Sequence, residues 1–291
     1  MTMSRIVRRL SRIVEDGDKV GRMPDSATYT HGHAESVLRS HRTRTAENSA
    51  AYLLPHLRAG LSLLDIGSGP GTITVDLAER VAPGPVTAVE VTEAALAVTR
   101  GEFERRGCTP ARLVTGDIHD LPFPSGSFDV VHAHQVLQHV ADPVAALREM
   151  VRVCRPGGVV AVRDGDYSGF TWYPELPGLD RWQELYQSAA RANGGEPNAG
   201  RRLLAWAHAA GITDVSATSS TWCYAEPASR EAWGGMWADR IAGSAITEQI
   251  LTSGLGTQED IDAIAASWRE WAADPDGWIS VLHGELLIRV P

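Results

Sequence analysis

The chain has 291 residues, 43% of them apolar and 22% charged, with a formal net charge of -9. That balance leaves no basic footprint for wrapping nucleic acid, and no apolar run reaches the about 18 residues that a membrane-spanning helix needs. Cys108, Cys154 and Cys223 lack metal-ligand spacing, and no signal-peptide or lipidation pattern shows, which predicts a cytoplasmic protein with reduced thiols and no metal.

At the start, Arg5, Arg8, Arg9 and Arg12 alternate with Ile6, Val7, Leu10, Ile13 and Val14 at helical spacing. This short basic amphipathic segment reads as a locally docked terminal helix, with a membrane-surface or partner role as the alternative. Tyr29, His31 and His33 follow, and in the region Ala34 to Leu57 the intervals of Val37, Ser40, Arg44, Glu47, Ala51 and Leu54 predict a helix that ends near Arg58-Ala59-Gly60.

Leu61 to Ile66 is a short apolar run that ends in Asp65 and opens into Gly67-Ser68-Gly69-Pro70-Gly71. Glycines let a backbone turn sharply and approach a ligand closely, and Thr72 to Val81 reads as the helix that follows. A dinucleotide fingerprint would put its third glycine at position 72, where Thr72 stands. That register argues against a pyrophosphate.

Further elements follow in order. Val86 to Val91 is a strand carrying Glu90, 25 residues after Asp65, where a carboxylate can accept hydrogen bonds from two ribose hydroxyls. Ala111 to Asp117 is a third strand, and Phe128 to His134 a fourth that delivers His134 and Gln135 to its carboxyl end. Gln138-His139-Val140 comes next, and Val153-Cys154-Arg155-Pro156-Gly157-Gly158 precedes a fifth strand, Val159 to Asp164.

Beyond it the composition changes, because all nine tryptophans lie at or after Trp172. They are candidate walls of a substrate pocket, or core faces where they recur at helical spacing, as in Trp233 with Trp237 and Trp268 with Trp271. Helices are predicted over 179–192, 200–210, 230–250 and 258–272, and strands over 212–222 and 278–290.

The run Leu64-Asp65-Ile66-Gly67-Ser68-Gly69-Pro70-Gly71 resembles motif I of class I S-adenosylmethionine-dependent methyltransferases, in particular the small-molecule branch similar to the ubiquinone/menaquinone C-methyltransferases. Gly116-Asp117-Ile118, Leu121 to Val131 and Val153 to Gly158 resemble that family's later motifs in its order. The resemblance implies a Rossmann-like, doubly wound α/β fold around a mostly parallel seven-stranded sheet, with S-adenosyl-L-methionine as cofactor. The cofactor-binding candidates it implies are Tyr29, Asp65, Gly67, Ser68, Gly69, Gly71, Glu90, Val91, Asp117, Ile118, His134 and Gln135. Asp65 has the alternative of holding the glycine loop by accepting backbone N–H bonds.

The same resemblance makes Tyr29, His31, His33 and Arg44 lid candidates, within an N-terminal helical lid spanning 1–58. The core is expected over 59–227 and 276–291. A helical cap over 228–275 fills the interval where the simplest family topology has a hairpin. The expected partner is a small, partly apolar or aromatic methyl acceptor, and the protein a monomer or homodimer. Asp166 and His33 are the candidate bases, because Asp166 follows the fifth strand directly and a histidine titrates nearest neutral pH; for Asp166 the alternatives are a hydrogen bond to an acceptor hydroxyl or a cap on the turn around Gly165. A nicotinamide oxidoreductase, or a protein that binds the cofactor without transferring methyl, are the alternative readings.

Overall fold

The computed structural model describes residues 43–109 and 111–291, so Tyr29, His31 and His33 lie outside the described residues. Strands β1 (Leu63–Ile66), β2 (Val86–Glu90), β3 (Arg112–Thr115), β4 (Phe128–His134) and β5 (Cys154–Gly165) run parallel in the order β3-β2-β1-β4-β5. The order reverses between β1 and β4, which opens a crevice outside their carboxyl ends, the usual ligand position in doubly wound sheets.

Three antiparallel strands complete the sheet. β8 (Trp278–Arg289) pairs with β5 on one side and with β7 (Val215–Tyr224) on the other. β6 (Thr171–Tyr173) pairs with the first residues of β8. Among the described residues the sheet therefore has eight strands and not the expected seven. β8 outruns β5 at residues 278–280, and β6 covers the edge so exposed.

Period-two alternation gives the strands two faces. Leu64, Ile66, Val131, Ala133, Val160 and Val162 pack on one side under α4 (Pro143–Val153) and α6 (Leu203–Ala209). Leu63, Val130, Ala161 and Leu287 pack on the other, under α1 (Ala46–Ser49) and α2 (Thr72–Val81). α3 (Glu93–Arg106) lies against β2 and β3, its N-terminus capped by Thr92 and its end closed by left-handed Gly107.

A second core lies beyond the carboxyl edge. There α5 (Pro177–Ala192), α7 (Pro227–Gly243), α8 (Ala245–Thr252) and α9 (Gln258–Ala273) pack together against Ile279 and Val281 of β8. Trp182, Trp268 and Trp271 are essentially sealed in it, with Trp237 against them, so these four take the core reading and not the pocket-wall one.

Two helix expectations need correction. Within 43–57 the chain forms only α1, capped by Thr45, and a 3-10 turn at Leu54–His56, since Pro55 has no N–H to continue a ladder. The predicted helix over 230–250 is broken at Ser244, whose extended backbone separates α7 from α8.

Candidate active site

The carboxyl ends of β1 to β4 bring the described cofactor candidates to one edge. After β1, Gly67, Gly69 and Gly71 all take left-handed φ values, of 70°, 53° and 83°. A Cβ on Gly67 would sit 2.5 Å from Val136 Cγ2, whereas Gly69 faces open space. The loop is thus held from below and presents bare backbone above. Thr99 of α3 holds it from the side, with its hydroxyl 2.8 Å from the Gly69 carbonyl and 2.9 Å from Ser68 Oγ.

Asp65 is buried beneath this loop. One carboxylate oxygen accepts from Thr74 Oγ1 of α2 at 2.6 Å, and the other lies 2.7 Å from His132 Nδ1 of β4. Those bonds tie strand, helix and neighbouring strand together, and none of them goes to a backbone N–H of the glycine loop. Its partners are side chains.

Glu90 ends β2 and reaches the loop itself, where its Oε1 accepts from the Gly69 N–H at 2.6 Å. Val91 beside it is 72% exposed. Past β3, Asp117 accepts from the backbone and ring of His119, and although burial pushes its carboxyl up, those bonds outweigh it and hold the group below the usual range. Ile118 turns inward and packs with Leu121 and Phe123.

At the end of β4, Gln135 is the one non-glycine residue with positive φ, 55°, among those described. Left-handed backbone at such a residue costs on the order of 1 kcal/mol or more and marks a position the surroundings impose. Here the Gln135 N–H donates to the Arg163 carbonyl at 2.7 Å, and Gln135 Nε2 lies 2.9 Å from His283 Nε2. His283 Nδ1 faces the Val281 carbonyl at 2.9 Å and so carries the ring proton, leaving Nε2 to accept.

Asp166 does not stand open to the edge. Its carboxylate is 1% exposed and accepts from Arg201 Nε and a terminal nitrogen, each at 2.6 Å, and from the Arg201 backbone N–H at 3.0 Å. A side-on guanidinium occupies both oxygens. The expectation of a base at Asp166 is therefore corrected: the residue anchors the turn after β5 to Arg201.

On a single face of β4, β5, β8 and β7 the candidates His134 and Trp222 meet residues that sequence reasoning missed: Arg163, Thr218, Ser220, His283 and Glu285. Register places His134 beside Arg163, Arg163 beside Glu285, and Glu285 beside Thr218, while His283 pairs with Ser220. Along this face the apolar cluster under α2 gives way to this polar band and then to the aromatic core, so the band is a seam between two dry regions. Trp222 roofs it, with its ring 4.4 Å from His283 and the Arg163 guanidinium 4.9 Å away, and its Nε1 bound to the Asn48 carbonyl at 2.7 Å.

Burial dominates the electrostatics of the seam. It pulls Arg163 down to about 10, still charged near neutral pH. Burial, with the charges of Arg163 and Arg44, holds His134 and His283 well below the ordinary imidazole range. Burial also lifts the Tyr52 phenol and pushes Asp164, on the opposite face of β5, up to about 7. The signal for the seam was present as His132/His134 and His283/Glu285 at two-residue spacing inside otherwise apolar strands, with Arg163 inside a third.

Residues 64–162 match the family described as "Methyltransferase domain". An uncharacterized methyltransferase of Schizosaccharomyces pombe is 32% identical over 275 residues, covering 91% of this chain and 97% of that protein. The chain is a class I S-adenosylmethionine-dependent methyltransferase. That membership decides against the nicotinamide alternative and for an enzyme that uses S-adenosylmethionine. A demethylmenaquinone methyltransferase of Listeria welshimeri is 29% identical over 175 residues, or 60% of this methyltransferase and 70% of that one. The fold is shared with a Haemonchus contortus phosphoethanolamine N-methyltransferase solved with S-adenosylhomocysteine, at a TM-score of 0.55 and 17% identity over 90% of this chain and 59% of that one. Among the described residues, no helix is long and apolar enough to cross a membrane, and no cluster of metal-ligating side chains occurs.

Proposed function

We propose that this methyltransferase acts on a small, partly apolar or aromatic metabolite of secondary or quinone-like metabolism, bound in the seam between the sheet core and the aromatic core. The observation that carries the reading is the polar band on one sheet face, flanked by apolar packing and beginning where β4 ends beside the glycine loop. Such a site gives an acceptor apolar walls and a few fixed polar groups. The resemblance to a demethylmenaquinone methyltransferase supports the metabolite class.

The residues at the edge suit the cofactor. Bare backbone at Gly69 and the Glu90 carboxylate already reaching the loop supply a close approach and a two-oxygen acceptor for a ribose diol. We assign Gly67, Ser68, Gly69 and Gly71 to the aminoacyl and ribose side, Glu90 and Val91 to the ribose, Asp117 and Ile118 to adenine, and His134 with Gln135 to the methionine arm. Asp65 supports the loop from below. When bound, S-adenosylmethionine supplies an electrophilic methyl group on a sulfonium. The protein's part is alignment and exclusion of water, both of which the strained Gln135 turn and the closed seam favour. Where the acceptor loses a proton, His33 is the proposed base.

The division into a lid over 1–58, a core over 59–227 and 276–291 and a cap over 228–275 is likewise our proposal. The packing of α8 and α9 on α5, with Trp237 of α7 against Trp182, extends the cap's support back to Pro177–Ala192. Incubation with S-adenosylmethionine labelled at the methyl group and a panel of phenols, quinols, amines and aromatic acids tests the reading. Label is expected on at least one small acceptor. Labelling confined to protein or nucleic acid substrates would overturn it.

A further inference from the structure

Arg163 is a buried charge on the seam. It sits within β5, with its side chain 1% exposed, and its Nε already has two partners: Ser220 Oγ at 3.1 Å and Glu285 Oε1 at 3.3 Å. Both terminal guanidinium nitrogens are buried and have no hydrogen-bond partner among the described residues. The Trp222 ring over it takes the π face of the guanidinium, but the N–H donors point outward in its plane, so the ring leaves them unmet. Each buried donor left unmet is costly, and the pairing with Glu285 uses only Nε, while the Thr218 and Ser220 hydroxyls already donate to the two oxygens of that carboxylate.

What the open end lacks is a planar, two-oxygen acceptor, because terminal nitrogens on one side of a guanidinium form a fork that matches a carboxylate bidentately. The neighbours supply no such group: His134 is held uncharged, with both ring nitrogens unmet, and the Tyr52 hydroxyl is also unmet. All of these lie on or over the sheet face that leads from the end of β4, where methyl transfer is proposed, to the aromatic core.

We infer that the methyl acceptor is a carboxylic acid, seated with its carboxylate on the terminal nitrogens of Arg163 and its apolar or aromatic body against Trp222. The inference rests on the proposed seam as acceptor site and deepens it by naming the acceptor's charge. A neutral acceptor would leave the fork unmet and would gain nothing from a charge buried at this depth. Glu285 and Ser220 hold the guanidinium by Nε and so aim its open edge; they position the group without touching the acid.

The test is calorimetry on the full chain saturated with S-adenosylhomocysteine, with cinnamate, indole-3-acetate and octanoate as probes and their primary amides as uncharged counterparts. At least one acid is expected to bind about tenfold or more tighter than its amide. In Arg163→Met combined with Glu285→Gln, chosen so that no buried carboxylate is left alone, that preference should vanish while S-adenosylhomocysteine affinity is kept. Should the double variant fail to fold, Arg163→Lys reports the same thing, because a lysine keeps the charge but not the fork and should lose most of the preference. Acids and amides binding alike in the wild type, or a preference that survives both variants, would overturn the inference. If neutral probes alone bind and are methylated, the carboxylate assignment fails and the small-molecule reading stands. If no probe binds and no small acceptor is methylated, both fail.

Discussion

Glu90→Ala is expected to weaken S-adenosylhomocysteine binding by about tenfold to a hundredfold, the effect of losing hydrogen bonds to a charged acceptor worth roughly 1.5–3 kcal/mol. The carboxylate stands at the end of β2 and bonds the Gly69 N–H at 2.6 Å, so it is already directed at the loop where the ribose is proposed to lie. Stability should change little, because Glu90 is at the mouth of the crevice and outside both apolar clusters. Glu90→Gln keeps one oxygen acceptor and should fall between the two proteins. Calorimetry that returns wild-type affinity for Glu90→Ala would remove the residue from the site.

Gly67→Ala should be the most damaging single-methyl change at this edge. Its φ of 70° is costly for any residue with a Cβ, and the added carbon would lie 2.5 Å from Val136 Cγ2, so either the loop or the segment after β4 must move. Strain alone accounts for about 1–3 kcal/mol, and the contact adds to it. The expected outcome is a melting temperature lower by several degrees together with a loss of cofactor affinity beyond tenfold, since about 1 kcal/mol shifts a protein of this size by roughly 2–4 °C. Gly69→Ala has a comparable φ of 53° but no neighbour within 4 Å of the new carbon, and it should melt closer to wild type. Indistinguishable melting of Gly67→Ala and wild type would contradict the close packing at Val136.

The two sites differ in how much of each the sequence carried on its face. The placement of the glycine loop, Glu90 and Asp117 at one edge was legible because each is a local event, a strand end followed by its turn. The seam was not, because Arg163, Ser220, His283 and Glu285 come from three strands and meet only through register. Asp166 misled for the same reason. Its place after β5 is local, but the partner that occupies it, Arg201, is 35 residues away. The tryptophan bias was visible as composition, yet composition does not tell Trp222, which faces the polar band, from Trp182 or Trp268, which fill a core. The eighth strand escaped because three residues, Thr171–Tyr173, become a strand only where β8 overhangs.

A crystal structure of the full chain grown with S-adenosylhomocysteine and an aromatic carboxylic acid tests the arrangement most directly. The expected result is cofactor density over Gly67 to Gly71, with the Glu90 carboxylate turned from the Gly69 N–H to the ribose. The acid should lie in the seam, its carboxylate on Arg163. A groove lined by Ser62, Val86, Arg112, Phe123 and Phe128 at the amino ends of the strands should stay clear. Density for the acid in that groove, or on the outer faces of α7 and α9 with Arg163 untouched, would contradict the placement of methyl transfer between the two cores.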